Sequence, residues 1–189
     1  MSSTPLRLAV IIGSTREGRF GPTAAHWFAG ESTAHGDFEV DVIDLAEQPL
    51  DAVLRNNPDP AMQPLTDRLD AADAFVIVTP EYNHSYPASL KVLIDWHYTQ
   101  WQAKPVGFVS YGGLAGGLRS VEHLRPVFAE LHAVTVRDTV SFHGAWERFG
   151  PDGAALDPAA AAAAKTMLDQ IAWWGEALRE ARARRPYGA

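Results

Sequence analysis

Short apolar runs alternate along this chain with stretches of helical spacing, and that alternation limits the fold more than any other feature. Leu6 to Ile12 is apolar and β-branched, as a strand buried on both faces must be. Phe38 to Ile43 reads as a second strand ended by Asp44, Ala74 to Thr79 as a third and Val106 to Ser110 as a fourth. Val134 to Val140 supplies a fifth. Between them lie helical patterns: Ala24, Ala25, Trp27 and Phe28 after Pro22, a short helix over Asp67 to Ala72, and a stripe at Leu90, Leu93, Ile94, His97 and Trp101. Leu118, Val121, Leu124, Phe128 and Leu131 trace another. Asp157-Pro158 caps and starts a long last helix with its stripe at Met167, Ile171, Trp174 and Leu178. Ala159 to Ala164 are strong helix formers there, and Arg182 to Arg185 suit its C-terminal dipole.

Strands alternating with helices predict a parallel sheet covered on both faces, joined by right-handed crossovers. In such sheets ligands sit at the carboxyl ends of the strands, where the strand order switches. The loops after strands one, three and four are therefore expected to converge. The connection from Leu45 to Pro64 is too long for an ordinary link and reads as a functional or interface loop.

The first of the convergent loops, Gly13-Ser14-Thr15-Arg16 followed by Gly18-Arg19-Phe20-Gly21-Pro22, runs from a strand into a helix N-terminus. Free backbone N–H groups and a positive dipole end gather at such a point. Ser14 and Thr15 add hydroxyl donors, and Arg16 and Arg19 add fixed positive charge, so the loop suits a phosphate monoester. The alternative is a plain βα turn capped by Ser14. Neither a Gly-x-Gly-x-x-Gly nor a Gly-Lys-Ser/Thr signature is present, which excludes the dinucleotide and nucleoside-triphosphate loops.

The loop after the third strand, Pro80-Glu81-Tyr82-Asn83-His84-Ser85-Tyr86-Pro87, is stiffened by proline at both ends and is polar and aromatic between. It can lay backbone N–H groups and a tyrosine ring along a flat heteroaromatic edge. Packing beneath the loop is the other reading of Tyr82 and Tyr86, and His84 is either a solvated side chain or an acid. After the fourth strand, Ser110-Tyr111-Gly112-Gly113 leads to Gly116-Gly117, where glycine lets backbone approach a ligand closely. Phosphate on the first loop and a flat ring on the other two describe flavin mononucleotide (FMN).

The same pieces resemble the NADPH-dependent FMN reductase family, whose members include quinone, azo-dye and chromate reductases. The likeness rests on Gly13-Ser14-Thr15-Arg16 with Arg19, on Pro80-Glu81-Tyr82-Asn83 with Pro87 and Leu90-Lys91, on Ile94-Asp95, and on Ser110 to Gly113 with Gly116-Gly117. It runs from residue 7 to about residue 132; the C-terminal third matches only as a generic strand and helix. It implies a flavodoxin-like three-layer α/β sandwich whose five-stranded parallel sheet has the order 2-1-3-4-5. Ser14, Thr15, Arg16 and Arg19, with Phe20 and Gly21, would then surround the FMN phosphate. Pro80 to His84 would run along the ribityl chain and ring edge, and Ser110, Tyr111, Gly112 and Gly113 would bind the ring's pyrimidine side. Many relatives carry a Ser and an Asn farther along the first loop, where this chain has Arg19, Phe20 and Gly21.

The resemblance further implies that NADPH or NADH delivers hydride to FMN, which passes it to a quinone, flavin, azo or similar acceptor, with no catalytic side chain and no metal. A flavodoxin-type electron carrier without NAD(P)H turnover is the competing reading, although such carriers use a Thr/Ser-rich loop without arginine. A phosphate-sensing module that binds no flavin is a third. Trp96, Tyr98 and Trp101 on one helix suggest a homodimer or homotetramer contact beside the flavin.

Composition limits the remaining classes. The 189 residues suit one domain, and 47% apolar with 21% charged residues is ordinary for a soluble globular chain. A net charge of −7 argues against nucleic acid and anionic membranes as partners. No apolar run approaches the roughly 20 residues that span a bilayer. Met1 to Pro5 lacks signal-peptide architecture, so a cytoplasmic location is expected. Cysteine is absent, which removes disulfides and thiolate chemistry, and the seven histidines show no metal-ligand spacing.

Overall fold

The computed structural model describes residues 4–57 and 59–188. Met1–Ser3, part of the segment read for a leader, and Pro58 of the long loop lie outside the described residues. The chain runs β1 (Leu6–Ile12), α1 (Gly21–His35), β2 (Phe38–Asp44), α2 (Gln63–Ala71), β3 (Ala74–Pro80), α3 (Ala88–Trp96) and β4 (Pro105–Gly112). It continues with α4 (Leu118–Glu130), β5 (Val134–Thr135), β6 (Val140–His143) and α5 (Pro158–Arg184). All strand pairs are parallel, in the order β2-β1-β3-β4-β5, with β6 also paired to β4. The flavodoxin-like order expected from the resemblance is the order observed.

Side-chain alternation along the strands builds two cores. Leu8, Val10 and Ile12 of β1, with Val76 and Val78 of β3, pack under α1 and α5 against Phe28, Met167 and Ile171. Ala9 and Ile11, with Phe75 and Ile77, face the other way toward Leu65, Leu69, Leu93, Leu124 and Phe128 of α2, α3 and α4. This period of two explains why the central strands read as continuous apolar runs, since both sheet faces are buried.

The fifth strand position departs from the expected continuous run. β5 pairs only with Pro105 and Val106, and β6 only with Val109 to Gly112. Between them the Arg125 guanidinium donates to the carbonyls of Val136 at 2.8 Å and Arg137 at 2.9 Å. The Asp138 N–H donates to Gln170 Oε1 of α5 at 3.2 Å. Side chains from both layers thus satisfy main-chain groups that would otherwise pair along the strand edge.

Helix boundaries shift for similar local reasons. α2 starts at Gln63 rather than Asp67, because Asp59 caps a preceding 3₁₀ turn, its Oδ1 accepting from Ala61 N at 2.8 Å, and Pro64 fits the first turn. α3 ends at Trp96, since His97 is extended (φ −127°) and a 3₁₀ turn over Thr99–Trp101 follows. On α5 the buried stripe is Met167, Leu168, Ile171 and Gly175, not Trp174 and Leu178. Leu6 presses on Gly175, where an added Cβ would lie 2.7 Å from its Cδ1, so the helix turns Trp173 and Trp174 outward.

The aromatic cluster expected at a subunit contact is largely internal. Trp101 is fully buried, its ring 4.6 Å from Phe75 and 5.4 Å from Phe128. Trp96 Nε1 donates to the carbonyl of Asp51 at 2.7 Å, which anchors the long loop. Tyr98 alone stays half exposed. His97 is buried between the Leu93 carbonyl and Thr66 Oγ1, and burial pulls its imidazole below the ordinary value.

Candidate functional site

The carboxyl ends of β1, β3 and β4 bring the three loops together through hydrogen bonds. Gly13 N–H donates to Val78 O at 2.9 Å, and Ser89 Oγ donates to Gly13 O at 2.6 Å, tying the first loop to β3 and α3. A Cβ on Gly13 would lie 3.3 Å from Val78 O, so the loop leaves β1 flush against its neighbour. Ser14 is fully buried and shares a 2.6 Å hydrogen bond with Tyr82 Oη across 68 residues of sequence. The Arg16 N–H reaches the same Ser14 Oγ at 3.4 Å.

Beyond Ser14 the loop is open. Thr15, Arg16 and Gly18 are exposed, and the Arg16 guanidinium makes no ion pair among the described residues. The N–H groups of Thr15, Glu17, Gly18, Phe20 and Gly21 have no acceptor among those residues either. α1 starts with no side-chain cap. A cluster of free donors at a helix N-terminus, beside an unpaired arginine, fits an oxyanion of phosphate size.

Arg19 and Phe20 are committed elsewhere, unlike the sequence expectation of phosphate neighbours. The Arg19 guanidinium pairs with Asp44, the last residue of β2, leaving its Nε buried without a partner among the described residues. The Phe20 ring packs between Tyr111 at 5.6 Å and Phe149 at 5.2 Å. Gly21 is buried, with no space beside it: an added Cβ would meet Ile12 and Tyr111 Oη, both at 2.9 Å.

The β3–α3 loop is a tight turn. Tyr82 and Ser85 exchange backbone hydrogen bonds of 2.8 and 3.1 Å, with Asn83 (φ 48°) and His84 (φ 74°) in the left-handed region at its tip. Such backbone strain in non-glycine residues persists where the surroundings over-determine it. Here Glu81 accepts from the Arg119 N–H at 3.3 Å and from Arg119 Nη1 at 2.9 Å, locking the loop to the start of α4. His123 Nδ1 bonds Ser85 Oγ at 3.0 Å, and the His84 ring lies 6.0 Å from that of His123. Tyr86 packs on the core below, as one reading had it.

In the β4–α4 loop the two hydroxyls of Ser110 and Ser141 both donate to Gly116 O at 2.8 Å, so Ser110 is turned inward and not toward a ligand. The Tyr111 side chain likewise departs from its expected role at the ring, entering the α1 and α5 core beneath the first loop. Burial, helped by Tyr82, pushes its phenol well above the ordinary range, with Ser14 and Arg19 acting the other way. Gly112 is half-buried and Gly113 is exposed, so both offer backbone at the end of β4. Gly113 O accepts from Gly144 N at 3.1 Å, and the exposed Trp146 indole approaches Gly113.

The sequence reading missed Asp44, Ser89, Arg119, His123 and Trp146. Asp44 carried a signal, because it sits at the carboxyl end of a parallel strand neighbouring β1. In a groove away from these loops, between β1, β2 and α2, the two arginines are already engaged: Arg68 is held by Asp41 at 2.6 Å and Arg7 faces Glu39 at 3.8 Å. Among the described residues no three His, Asp or Glu side chains converge as metal ligands, and no helix is long and apolar enough to cross a membrane.

Comparison with known proteins agrees with this architecture. The structure resembles FerB, a flavoenzyme NAD(P)H:(acceptor) oxidoreductase from Paracoccus denitrificans, with a TM-score of 0.73 over 91% of this chain and 98% of that one, at 22% identity. It resembles a flavodoxin from the domain Archaea less closely (TM-score 0.57, 12% identity, 90% and 99% covered). At such identities the likeness establishes the fold. In sequence, the chain is 30% identical over 177 residues to a 2-hydroxy-1,4-benzoquinone reductase of Burkholderia sp, covering 89% of this chain and 96% of that one. It is 37% identical over 122 residues to an NAD(P)H-dependent FMN reductase of Schizosaccharomyces pombe, covering 59% of this chain and 60% of that protein. Residues 6–147 match the family description NADPH-dependent FMN reductase, and the chain belongs to that family.

Proposed function

We propose that the protein is an NAD(P)H-dependent FMN oxidoreductase that reduces a quinone, azo compound, flavin or similar small acceptor. The observation that carries this reading is the junction of three loops: a donor-rich loop is hydrogen-bonded to the β3–α3 turn and stands beside a glycine loop that offers bare backbone at Gly112 and Gly113. The residues present fit FMN. Arg16 and the free N–H groups of Thr15 to Gly21 would hold its phosphate, with Thr15 adding a hydroxyl. The Tyr82–Asn83 turn and the Gly112–Gly113 backbone would orient its ring. When bound, FMN supplies the hydride and electron chemistry, and the protein supplies binding, orientation and electrostatics.

The Glu81–Arg119 pair fixes the turn before any ligand arrives, so less ordering is required on binding. NADPH or NADH and the acceptor would occupy the same open position in turn. Double-reciprocal plots for NAD(P)H and a benzoquinone are therefore expected to be parallel. Intersecting lines would count against a shared position. The flavodoxin-type carrier reading takes over if NAD(P)H fails to bleach the visible bands of the FMN-loaded protein.

The same reading includes a homodimer or homotetramer. Its support has moved from the Trp96–Trp101 segment to exposed apolar side chains near the site, Leu114, Leu118 and Trp146. Light scattering at micromolar concentration is expected to give a multiple of 20.6 kDa, and a monomer mass would remove this part of the proposal.

A further inference from the structure

Beneath the phosphate loop lies a polar cluster that the proposed function does not use. Tyr111 is 5% exposed, and its Oη is buried with no hydrogen-bond partner among the described residues. A buried hydroxyl without a partner carries its desolvation cost uncompensated, so its presence calls for a reason. The hydroxyl lies at the head of α1, 2.9 Å from the point where Gly21 would carry a Cβ. Ser14 stands close enough to act on this phenol but makes no hydrogen bond to it in this structure, and is joined to Tyr82 instead.

Ser14 has one proton and two lone pairs. The Arg16 N–H takes one lone pair, and the 2.6 Å bond to Tyr82 occupies either the second lone pair or the proton. If Ser14 donates to Tyr82, it has no proton left for an anion. Two phenol donors remove that ambiguity. Tyr82 and Tyr111 fill the two lone pairs, the long 3.4 Å contact of the Arg16 N–H is given up so that this N–H turns to the anion, and the serine proton is left to point out of the loop.

We propose that Tyr111 is a positioning residue for the phosphate of the cofactor, its hydroxyl closing onto Ser14 Oγ from beneath so that Ser14 donates to a phosphate oxygen. Tyr111 thereby brings from β4 a polar side chain to the point where Gly21 has none. The Phe20 ring, tilted 59° against Tyr111, and Ile12 confine the phenol. Its raised pKa keeps it protonated, and hence a donor, through the physiological range. The inference rests on the proposed FMN site and adds a role within it.

The test compares FMN with riboflavin, which lacks the phosphate, by fluorescence quenching on the flavin-free full-length protein and its Tyr111→Phe variant. The FMN dissociation constant is expected to rise roughly 5- to 10-fold, equivalent to about 1–1.4 kcal/mol. Riboflavin binding should stay within about twofold, and the melting temperature of the flavin-free protein should hold or rise because an unpaired buried hydroxyl has gone. In a Ser14→Ala background the same substitution should change the FMN-to-riboflavin ratio no further, since Tyr111 acts through Ser14. An unchanged ratio in Tyr111→Phe, equal loss for both ligands, or an additive effect with Ser14→Ala each overturns the inference. A wild-type protein without any preference for FMN overturns the phosphate site itself, and this inference with it.

Discussion

Gly117→Val is expected to destabilise the protein by roughly 2–5 kcal/mol and to remove FMN binding with it. Gly117 has φ +83°, a conformation that costs an L-residue on the order of 1–2 kcal/mol and suits a β-branched residue least. Space adds a second cost. A Cβ there would lie 2.7 Å from Ser110 Cβ and 2.8 Å from Tyr111 N, so the close neighbours include backbone of β4 that cannot swing aside. Overpacking of that kind costs about 1–3 kcal/mol. The strand that must move carries Tyr111 beneath the first loop and Gly112 at its own carboxyl end, hence the coupled loss of binding. Gly153 separates the two contributions, since it has φ +79° with nothing within 4 Å of an added Cβ. Urea denaturation of both valine variants is the measurement. Equal losses would show that crowding against β4 is not the cause.

Much of the fold was legible because the central strands are buried on both faces. The apolar runs at Leu6–Ile12, Ala74–Thr79 and Val106–Ser110 have no competing reading once helical stripes separate them, and each lies within an observed strand. The fifth position was not legible, because Arg125 from α4 and Gln170 from α5 interrupt it, and both lie far from it in pattern. Trp174 misled for a related reason. Helical spacing favoured it over Gly175, but close approach of Leu6 selects the residue without a side chain.

At the site, loop position was readable and side-chain direction was not. Ser14, Tyr82 and the glycine pairs stand where strand ends place them. Whether Arg19 turns to a ligand or to Asp44, and whether Tyr111 points out or under the loop, depends on neighbours that are near only in space. Ser110 is the same case, since its hydroxyl is directed inward to Gly116 O. Glu81 and Arg119 show what spacing alone conceals: two charges 38 residues apart meet because the loops after β3 and β4 meet.

Arg16→Ala is expected to weaken FMN binding by about 1.5–3 kcal/mol, roughly 10- to 150-fold, with riboflavin binding little changed. The two arginines of the loop differ in what already holds them. Arg19 is neutralised by Asp44, with side-chain exposures of 21% and 15%, so its field at the loop is largely cancelled. Arg16 is exposed and has no ion pair among the described residues, and its N–H already faces Ser14 Oγ. A guanidinium so placed can give a phosphate two charge-assisted donors without first leaving a carboxylate. Arg16→Lys should recover part of the loss, as a point charge without the fork. Salt provides an independent check, since screening should weaken FMN binding in the wild type more than in Arg16→Ala. Arg19→Ala acts differently, because it leaves Asp44 unpaired near the loop and so repels the phosphate instead of removing a donor. Asp44→Asn added to Arg19→Ala should then restore FMN binding, whereas added to Arg16→Ala it uncovers the Arg19 charge without replacing the lost Arg16 donors. An Arg16→Ala protein that keeps the wild-type ratio of FMN to riboflavin affinity would show that the phosphate is held by backbone donors alone.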